Sequence, residues 1–189
     1  MGSKVSLDLQ DEEIESIQKE TGFSPNQIIR LFTRFTSLDK EENGFLSRDS
    51  FLRIPELAIN PLADRIVESF FEKGHDHVNF RQFMRTLAVF RPLTNKTLET
   101  AVNSRNKKLE FVFSLYDSDN DGKISKKDLL DILSLMVGAN ISPDQLSYIA
   151  ERTILESDKD NDRSISREEF LRAMDAANCN TKMSVRFLD

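Results

Sequence analysis

Apolar residues recur along this chain at the three- and four-residue spacing of amphipathic helices, and strand-like alternation is almost absent. Residues 24–27 read Ser-Pro-Asn-Gln, which combines an N-cap, a proline at the first helical position and a capping-box glutamine. Residues 142–145 repeat this pattern, and Asn60-Pro61 and Asn79 open two further segments. The apolar positions that follow include Ile28, Leu31, Phe32, Phe35, Leu62, Ile66, Val67, Phe70, Phe83, Leu87, Phe90, Leu146 and Ile149. The sequence therefore predicts an all-α protein.

Two acidic stretches between predicted helices place oxygen-bearing side chains at positions 1, 3, 5 and 12 of a twelve-residue loop. This is the ligand spacing of an EF-hand, whose Ca²⁺ ion takes six to eight oxygens. The alternative is that either loop is an acidic turn that binds nothing. The candidate ligands are Asp117, Asp119, Asp121, Lys123 (through its carbonyl) and Asp128 in one loop, and Asp158, Asp160, Asp162, Ser164 and Glu169 in the other.

Each loop departs from the ideal pattern at one position. Asp128 at position 12 is one methylene shorter than glutamate, so it reaches the ion in a bidentate manner less easily and favours the smaller Mg²⁺ relative to Ca²⁺. Arg163 stands at position 6, where Gly122 supplies the turn in the other loop. A left-handed arginine costs roughly 1–2 kcal/mol. Affinity falls about tenfold if the whole cost belongs to the bound state, and less if the free loop shares it.

Two further loops have the same length but lack the ligands. Residues 39–50 keep Gly44 at position 6 but place Ser50 at position 12, and residues 71–82 begin with Phe71 and end with Gln82. All four loops nevertheless carry an apolar residue at position 8, which in paired EF-hands forms a short strand bridge. We therefore expect two lobes of paired helix–loop–helix units with inter-loop β-bridges. The four apolar residues are Leu46, Val78, Ile124 and Ile165.

His75 and His77 lie in the second of these degenerate loops. A His-x-His pair can ligate zinc, but no neighbouring cysteine completes such a site. Two surface histidines in a loop that has lost its ligands are the favoured interpretation.

Net charge and composition limit the classes of partner. A net charge of −6 argues against nucleic acid as a partner. The single cysteine, Cys179, cannot form an internal disulfide and favours a reducing compartment, and no apolar run is long enough to span a bilayer. Residues 1–6, Met-Gly-Ser-Lys-Val-Ser, fit the pattern for myristoylation at Gly2, although an expression-tag scar also reads Met-Gly-Ser.

The sequence offers no support for an enzyme. It contains no nucleophile elbow, phosphate loop or Cys–His signature, and the carboxylates are committed to the loops. A calcium-responsive binding module or a simple calcium buffer remains. The predicted organisation is an amino-terminal arm (1–22), a lobe with two degenerate hands (23–90), a linker (91–107), a lobe with two metal-binding hands (108–178) and a tail (179–189). The extra segments favour the binding module.

Longer strings of sequence carry a resemblance to a known family. They include residues 20–24 (Glu-Thr-Gly-Phe-Ser), 53–62 (Arg-Ile-Pro-Glu-Leu-Ala-Ile-Asn-Pro-Leu), 80–87, 149–154 and 182–188. On these strings the chain resembles the calcineurin B homologous proteins and, more distantly, calcineurin B. Two departures are the linker near residues 94–101 and Asp128, where the family commonly has glutamate.

The resemblance implies a cytoplasmic, myristoylated helper protein with Ca²⁺ in the third and fourth hands, peripheral to the plasma membrane and endomembranes. Such proteins clasp an amphipathic juxtamembrane helix of plasma-membrane Na⁺/H⁺ exchangers and support exchanger delivery, stability and pH response. The main alternative is a regulator of a calcineurin-type phosphatase, either as its subunit or as an inhibitor of the catalytic chain. Residues 132–141 and 170–179 overlie regions proposed as nuclear-export signals in relatives, which would imply nuclear shuttling.

Overall fold

The computed structural model describes residues 9–72, 74–92 and 101–176. The chain divides into two compact units, and of the described residues the first unit holds 9–72 and 74–92 and the second holds 101–176. The described part of each unit holds a pair of helix–loop–helix segments whose loops are joined by a two-stranded bridge. Apart from these bridges the described structure is helical, so the predicted all-α EF-hand fold is confirmed.

The amino-terminal unit is built around phenylalanine side chains on helices that flank its two loops. The Phe35 ring lies edge-on to those of Phe80 and Phe83, with ring centroids 5.4 and 5.6 Å apart, and Phe51 contacts Phe70 at 4.7 Å. Edge-on and tilted ring pairs of this kind add to the stabilisation that burial of the rings supplies. The elements are α1 (Asp11–Thr21), α2 (Pro25–Leu38), β1 (Phe45–Leu46), α3 (Arg48–Leu52), α4 (Pro55–Ala58), α5 (Ala63–Glu68), β2 (Val78–Asn79) and α6 (Phe80–Ala88).

Helix α1 lies within the segment that the sequence analysis treated as an arm. Ile17 is fully buried in the core of the amino-terminal unit, and Glu20 forms ion pairs with Arg81 and Arg85 of α6. The helix ends at Gly22, whose φ of 71° is in the left-handed region. Residues 11–21 are therefore part of this unit's packing.

The carboxy-terminal unit has its own core and the same arrangement of elements. Phe113 and Phe170 pack edge to face at 5.5 Å between the first and last helices, and Leu109, Ile124 and Ala150 are almost fully buried with them. The elements are α7 (Arg105–Tyr116), β3 (Lys123–Ile124), α8 (Lys126–Val137), a short 3-10 turn (Gly138–Asn140), α9 (Pro143–Ser157), β4 (Ile165–Ser166) and α10 (Arg167–Ala176).

Most of the predicted helix starts are confirmed by their caps. Ser24, Asn79 and Ser142 each accept a hydrogen bond from the backbone N–H three residues later and form a capping box, and Ser125 caps α8 in the same way. The start predicted at Asn60-Pro61 was wrong, because Asn60 Oδ1 accepts from the N–H of Leu62 and closes a turn, and α5 begins only at Ala63.

The inter-loop bridges are formed by the apolar residues at position 8, as predicted. Leu46 pairs with Val78 and Ile124 pairs with Ile165, in each case antiparallel, and all four side chains are buried. The predicted domain boundaries stay a prediction, although α1 and α7 begin inside the predicted arm and linker. A search of the described residues for a helix able to span a bilayer found none.

Candidate metal centre

The third loop is organised around Asp117, the residue that directly follows helix α7. Its carboxylate is almost fully buried and accepts hydrogen bonds from the backbone N–H of Asp121 at 3.1 Å and of Gly122 at 2.9 Å. Gly122 has φ of 88°, the left-handed value that position 6 requires. The loop therefore folds back over its first carboxylate.

Each intact loop gathers its first three acidic side chains around one point. In the third loop an oxygen from each of Asp117, Asp119 and Asp121 lies within 4.8 Å of the others. The fourth loop repeats this arrangement with three further aspartates. In the described part of the chain, these are the two groups of three acidic, histidine or cysteine side chains close enough to share an ion. The second group is Asp158, Asp160 and Asp162.

The carboxylate at position 12 of the third loop also faces the loop. Asp128 Oδ1 accepts from the Ser118 N–H at 3.2 Å and from its hydroxyl, and Oδ2 accepts from the Ser125 N–H at 2.9 Å and hydroxyl at 2.6 Å. Burial raises the pKa of Asp128, but the hydrogen bonds from these serines outweigh it and leave the pKa below its ordinary value. The residue is therefore held as a carboxylate.

Glu169 occupies the same place in the fourth loop. Its Oε1 accepts from the Lys159 N–H at 2.6 Å, and its Oε2 accepts from the Ser166 N–H at 2.9 Å and hydroxyl at 2.7 Å. The N–H groups of Lys159 and Ser166 lower the pKa of Glu169 to about 2. Asp128 and Glu169 thus receive donors from the same two loop positions, 2 and 9.

Arg163 adopts the backbone conformation that its position in the fourth loop demands. Its φ is 66°, and its N–H donates to Asp158 Oδ2 at 2.8 Å, as the Gly122 N–H does to Asp117. The fourth loop therefore reproduces the turn of the third with a non-glycine residue in the left-handed region, at a cost of roughly 1–2 kcal/mol.

An ion pair connects the two intact loops. The Lys123 ammonium contacts Asp162 Oδ2, while Asp162 Oδ1 accepts from the Ser164 N–H at 2.9 Å and hydroxyl at 2.6 Å. The Lys123 contact, and after it the Ser164 hydroxyl, lower the pKa of Asp162 to about 2. The same contact raises the pKa of Lys123.

The first loop keeps the EF-hand turn without the final ligand. Asp39 accepts from the N–H of Gly44 at 2.7 Å, in the same way as the first aspartates of the intact loops. Ser50 at position 12 is buried, and its hydroxyl lies 3.3 Å from the Ser47 N–H. This side chain is too short to reach an ion in the loop, so the loop retains its shape and lacks its bidentate oxygen.

The second loop lacks nearly all of the side-chain oxygens that an EF-hand needs at its ligand positions. Its last position is Gln82, whose side chain caps Asn79 in a capping box. His77 pairs with the adjacent Asp76 and lies edge-on to Phe45 of the first loop, 5.9 Å between ring centroids. His75 and His77 are not part of either acidic group, and a zinc site there has no support among the described residues.

The donor sets of the third and fourth loops match a hard divalent cation. Every side chain gathered there offers carboxylate oxygen, and neither nitrogen nor sulfur is present among the predicted ligands. Carboxylates and carbonyls suit Ca²⁺ and Mg²⁺, whereas Zn²⁺ takes histidine and cysteine. The arrangement therefore fits Ca²⁺.

Sequence reasoning did not foresee two features of these loops. The N–H donors at position 2, from Ser118 and Lys159, are backbone groups that carry no residue signature. The contact between Lys123 and Asp162 joins residues 39 apart in sequence and depends on the bridge register, in which Lys123 pairs with Ser166. The apolar residues at position 8 were the available signal for that register.

Comparison with known proteins identifies the family. Residues 106–175 match the model of an EF-hand domain pair. The chain is similar to the calcineurin B subunit from Naegleria gruberi, at 44% identity over 98% of this chain and 99% of the relative. It is also similar to the type 1 calcineurin B subunit from Dictyostelium discoideum (39% identity, 90% of this chain, 89% of the relative) and to the calcineurin B subunit from Schizosaccharomyces pombe (38%, 93% and 96%).

These relatives bear on the resemblance stated from the sequence. They support the broader relationship to calcineurin B, and the narrower assignment to the calcineurin B homologous proteins is not confirmed. With the EF-hand pair matched and two acidic loops of the expected geometry present, Ca²⁺ is the metal of this chain. The chain therefore belongs to the calcineurin B family of Ca²⁺-binding EF-hand proteins.

Proposed function

We propose that this protein is the Ca²⁺-binding regulatory subunit of a calcineurin-type phosphatase and has no catalytic activity of its own. The observation that carries the proposal is the 44% identity to a calcineurin B subunit over nearly the full length of both chains. Three further calcineurin B subunits, at 35–39% identity, support it. The sequence analysis had placed this role second to exchanger binding, and the relatives reverse that order.

In this role the metal occupies the third and fourth hands. The ligands are the acidic groups Asp117, Asp119, Asp121 and Asp158, Asp160, Asp162, with Asp128 and Glu169 at position 12 and the carbonyls of Lys123 and Ser164. The convergence of one oxygen from each aspartate supports this set. The shorter Asp128 gives the third hand the greater tolerance for Mg²⁺.

An apolar face on the carboxy-terminal unit suits the partner expected in this role. Leu135, Met136 and Tyr148 are each about half exposed or more, at 49, 54 and 62%. Leu135 and Met136 lie at the carboxyl end of α8, and Tyr148 on α9 lines a shallow depression of about 500 Å³ together with Ile141 and Ile149. We call this surface the α8–α9 face. An amphipathic helix from the phosphatase catalytic chain would bury its apolar side in such a surface.

The exchanger role uses the same physical principle, since its ligand is also an amphipathic helix. An exchanger helix is therefore the competing ligand for the α8–α9 face. The third alternative is a simple calcium buffer, in which no partner binds to this face. The loss of ligands in the first two loops accords with the exchanger-binding branch, whereas the relatives favour the phosphatase.

Membrane attachment through Gly2 belongs to the proposal as well. Gly2 lies outside the described residues, and its sequence context supports myristoylation. One myristoyl chain gives only marginal, reversible membrane binding, so a cytoplasmic protein peripheral at membranes is the expected location. The proposed export segment 170–179 extends beyond the described residues, so nuclear shuttling rests on the sequence alone.

Parallel binding and activity measurements test the function. The Ca²⁺-loaded protein is titrated by calorimetry with a helix peptide from a calcineurin catalytic chain and with an exchanger juxtamembrane peptide, and phosphatase activity of the catalytic chain is followed with and without it. The proposal predicts tight binding of the phosphatase peptide and increased activity. Preferential binding of the exchanger peptide would contradict it, and decreased activity would indicate an inhibitor.

A further inference from the structure

Lys123 belongs to the third loop and contacts a ligand of the fourth. It occupies position 7 of the third loop, where its backbone carbonyl faces the proposed ion, and its side chain extends across the bridge to Asp162. The next residue, Ile124, is buried, so Lys123 projects from the opposite side of the strand, with half of its side chain exposed. A single residue therefore touches both proposed sites.

Both carboxylate oxygens of Asp162 have donors in this arrangement. Oδ1 accepts from the backbone and hydroxyl of Ser164, and Oδ2 accepts from the Lys123 ammonium. An ion in the fourth loop needs one of these oxygens. The Ser164 bonds are part of the turn that shapes the loop, which leaves the ammonium as the group that a dication displaces or repels.

The third loop has no counterpart of this contact. Asp121 occupies the same position 5, and its Oδ1 accepts from the N–H of Lys123 at 2.8 Å. No ion pair to Asp121 is found in the described part of the chain, and the fourth loop has Ser164, an uncharged residue, at position 7. The ammonium therefore makes its direct contact in the fourth loop, and it is attracted more weakly by the Asp121 carboxylate of the third.

We propose that Lys123 is an affinity-determining residue of the fourth hand, whose ammonium competes with Ca²⁺ for Asp162 and so weakens Ca²⁺ binding at that hand. The inference rests on the ligand set given under the proposed function. Because the ammonium carries a charge of the same sign as the ion and holds a ligand oxygen, its removal increases affinity. Coulomb's law with water-like screening at this partly exposed site gives an effect on the order of three- to tenfold.

The test compares two single-charge removals in the carboxy-terminal unit of the full chain. Lys123→Met removes the ammonium and keeps a side chain of similar length. Lys126→Met is the matched control, since Lys126 also lies in the third loop but pairs with Glu151 of α9. Lys123→Gln removes the same charge and provides a second variant if the methionine variant does not fold.

Ca²⁺ affinity is measured at each hand separately by NMR titration of two backbone amides. The Gly122 N–H reports the third loop and the Arg163 N–H the fourth, because each donates to the first aspartate of its own loop. Calorimetry gives the total affinity of each variant.

The proposal predicts that Lys123→Met and Lys123→Gln each tighten the Ca²⁺ binding reported by the Arg163 amide three- to tenfold, while Lys126→Met changes it by less than about twofold. Equal tightening by both methionine variants would show a general effect of net charge and would overturn the proposal. Weaker binding in Lys123→Met would also overturn it. A wild-type chain that takes up no Ca²⁺ at the Arg163 amide would refute the ligand set itself.

Discussion

Position 12 of the two intact loops is filled by side chains of different length, Asp128 and Glu169. Asp128 and Glu169 both accept from position 2 and from the serine at position 9, so the loop holds each by the same donors. The Asp128 side chain is one methylene shorter than that of Glu169, so its carboxylate lies closer to its own backbone. The difference between the hands therefore lies in reach, and not in the orientation of the carboxylate.

Asp128→Glu should tighten Ca²⁺ binding at the third hand by on the order of tenfold and reduce its tolerance for Mg²⁺, because the longer side chain supplies both oxygens to the ion. Calorimetric Ca²⁺ titration in millimolar Mg²⁺ measures the change. Glu169→Asp is the reciprocal control and should weaken the fourth hand. Unchanged affinity in Asp128→Glu would show that reach does not limit this site.

Glu169 also predicts how the metal-free protein responds to acid. Its folded-state pKa of about 2 lies below the ordinary value of 4.5. Its contribution to stability is therefore present above about pH 4.5 and is lost as the pH falls towards 2. In metal-free buffer, the melting temperature of the wild type should exceed that of Glu169→Gln at pH 5, and the difference should shrink as the pH falls to 2.

Glutamine at this position keeps the capping interaction with Ser166 and removes the charge. Glu168→Gln, on the same helix but with a surface partner, Arg172, should show no such pH-dependent difference. A difference between wild type and Glu169→Gln that stays constant from pH 5 to pH 2 would contradict the assignment.

Among the secondary-structure elements, those with a local signal were predicted and those set by tertiary packing were not. The capping boxes at Ser24 and Ser142 located α2 and α9, because the cap and its glutamine are only three residues apart. Helix α1 carries no side-chain cap, and its place in the core depends on Ile17 and on α6. Helices α3 and α4 have five and four residues, too few for a periodic pattern.

The same distinction applies to the metal site. An EF-hand loop takes most of its ligands from one short stretch of sequence, so the sequence alone was enough to propose the ligand set, and the structure brings the first three aspartates of each loop together. The pairing of Lys123 with Asp162 was not predicted, since it depends on how two loops align across a bridge.

The first loop tests whether an EF-hand loop that has kept its conformation can bind Ca²⁺ again once its missing ligand is restored. Asp39, Glu41 and Asn43 still stand at positions 1, 3 and 5, beside a space of about 70 Å³ that Ser50 also lines. Ser50→Glu should therefore create a third Ca²⁺ site, counted by native mass spectrometry. Gln82→Glu makes the matching change in the second loop, which lacks the other ligands, and should add none. No additional ion in Ser50→Glu would mean that the loop has lost more than its last ligand.

For the whole molecule, the α8–α9 face is the surface at which the proposed partner would bind. Tyr148→Glu replaces an aromatic side chain of the depression with a carboxylate and should weaken binding of the phosphatase helix peptide at least tenfold, because that carboxylate would lose its water against the apolar side of the helix. Tyr148 is 62% exposed, so stability should change by less than about 0.5 kcal/mol.

Leu155→Glu is the control for this variant. Leu155 is also on α9 and is 79% exposed, but it does not line the depression. Its replacement should leave affinity for the peptide within about twofold. Equal losses from both variants would place the partner elsewhere on the unit, and no loss from Tyr148→Glu would remove the α8–α9 face from the proposal.

Native mass spectrometry of this chain mixed with a full-length calcineurin catalytic chain in Ca²⁺ tests the central claim most directly. The measurement gives the stoichiometry of the complex and the number of bound ions together. We predict a one-to-one heterodimer in which this chain adds two Ca²⁺ ions, one for each intact loop. Failure to form the heterodimer would contradict the regulatory role, and a complex in which this chain adds four ions would contradict the assignment of metal to the third and fourth hands alone.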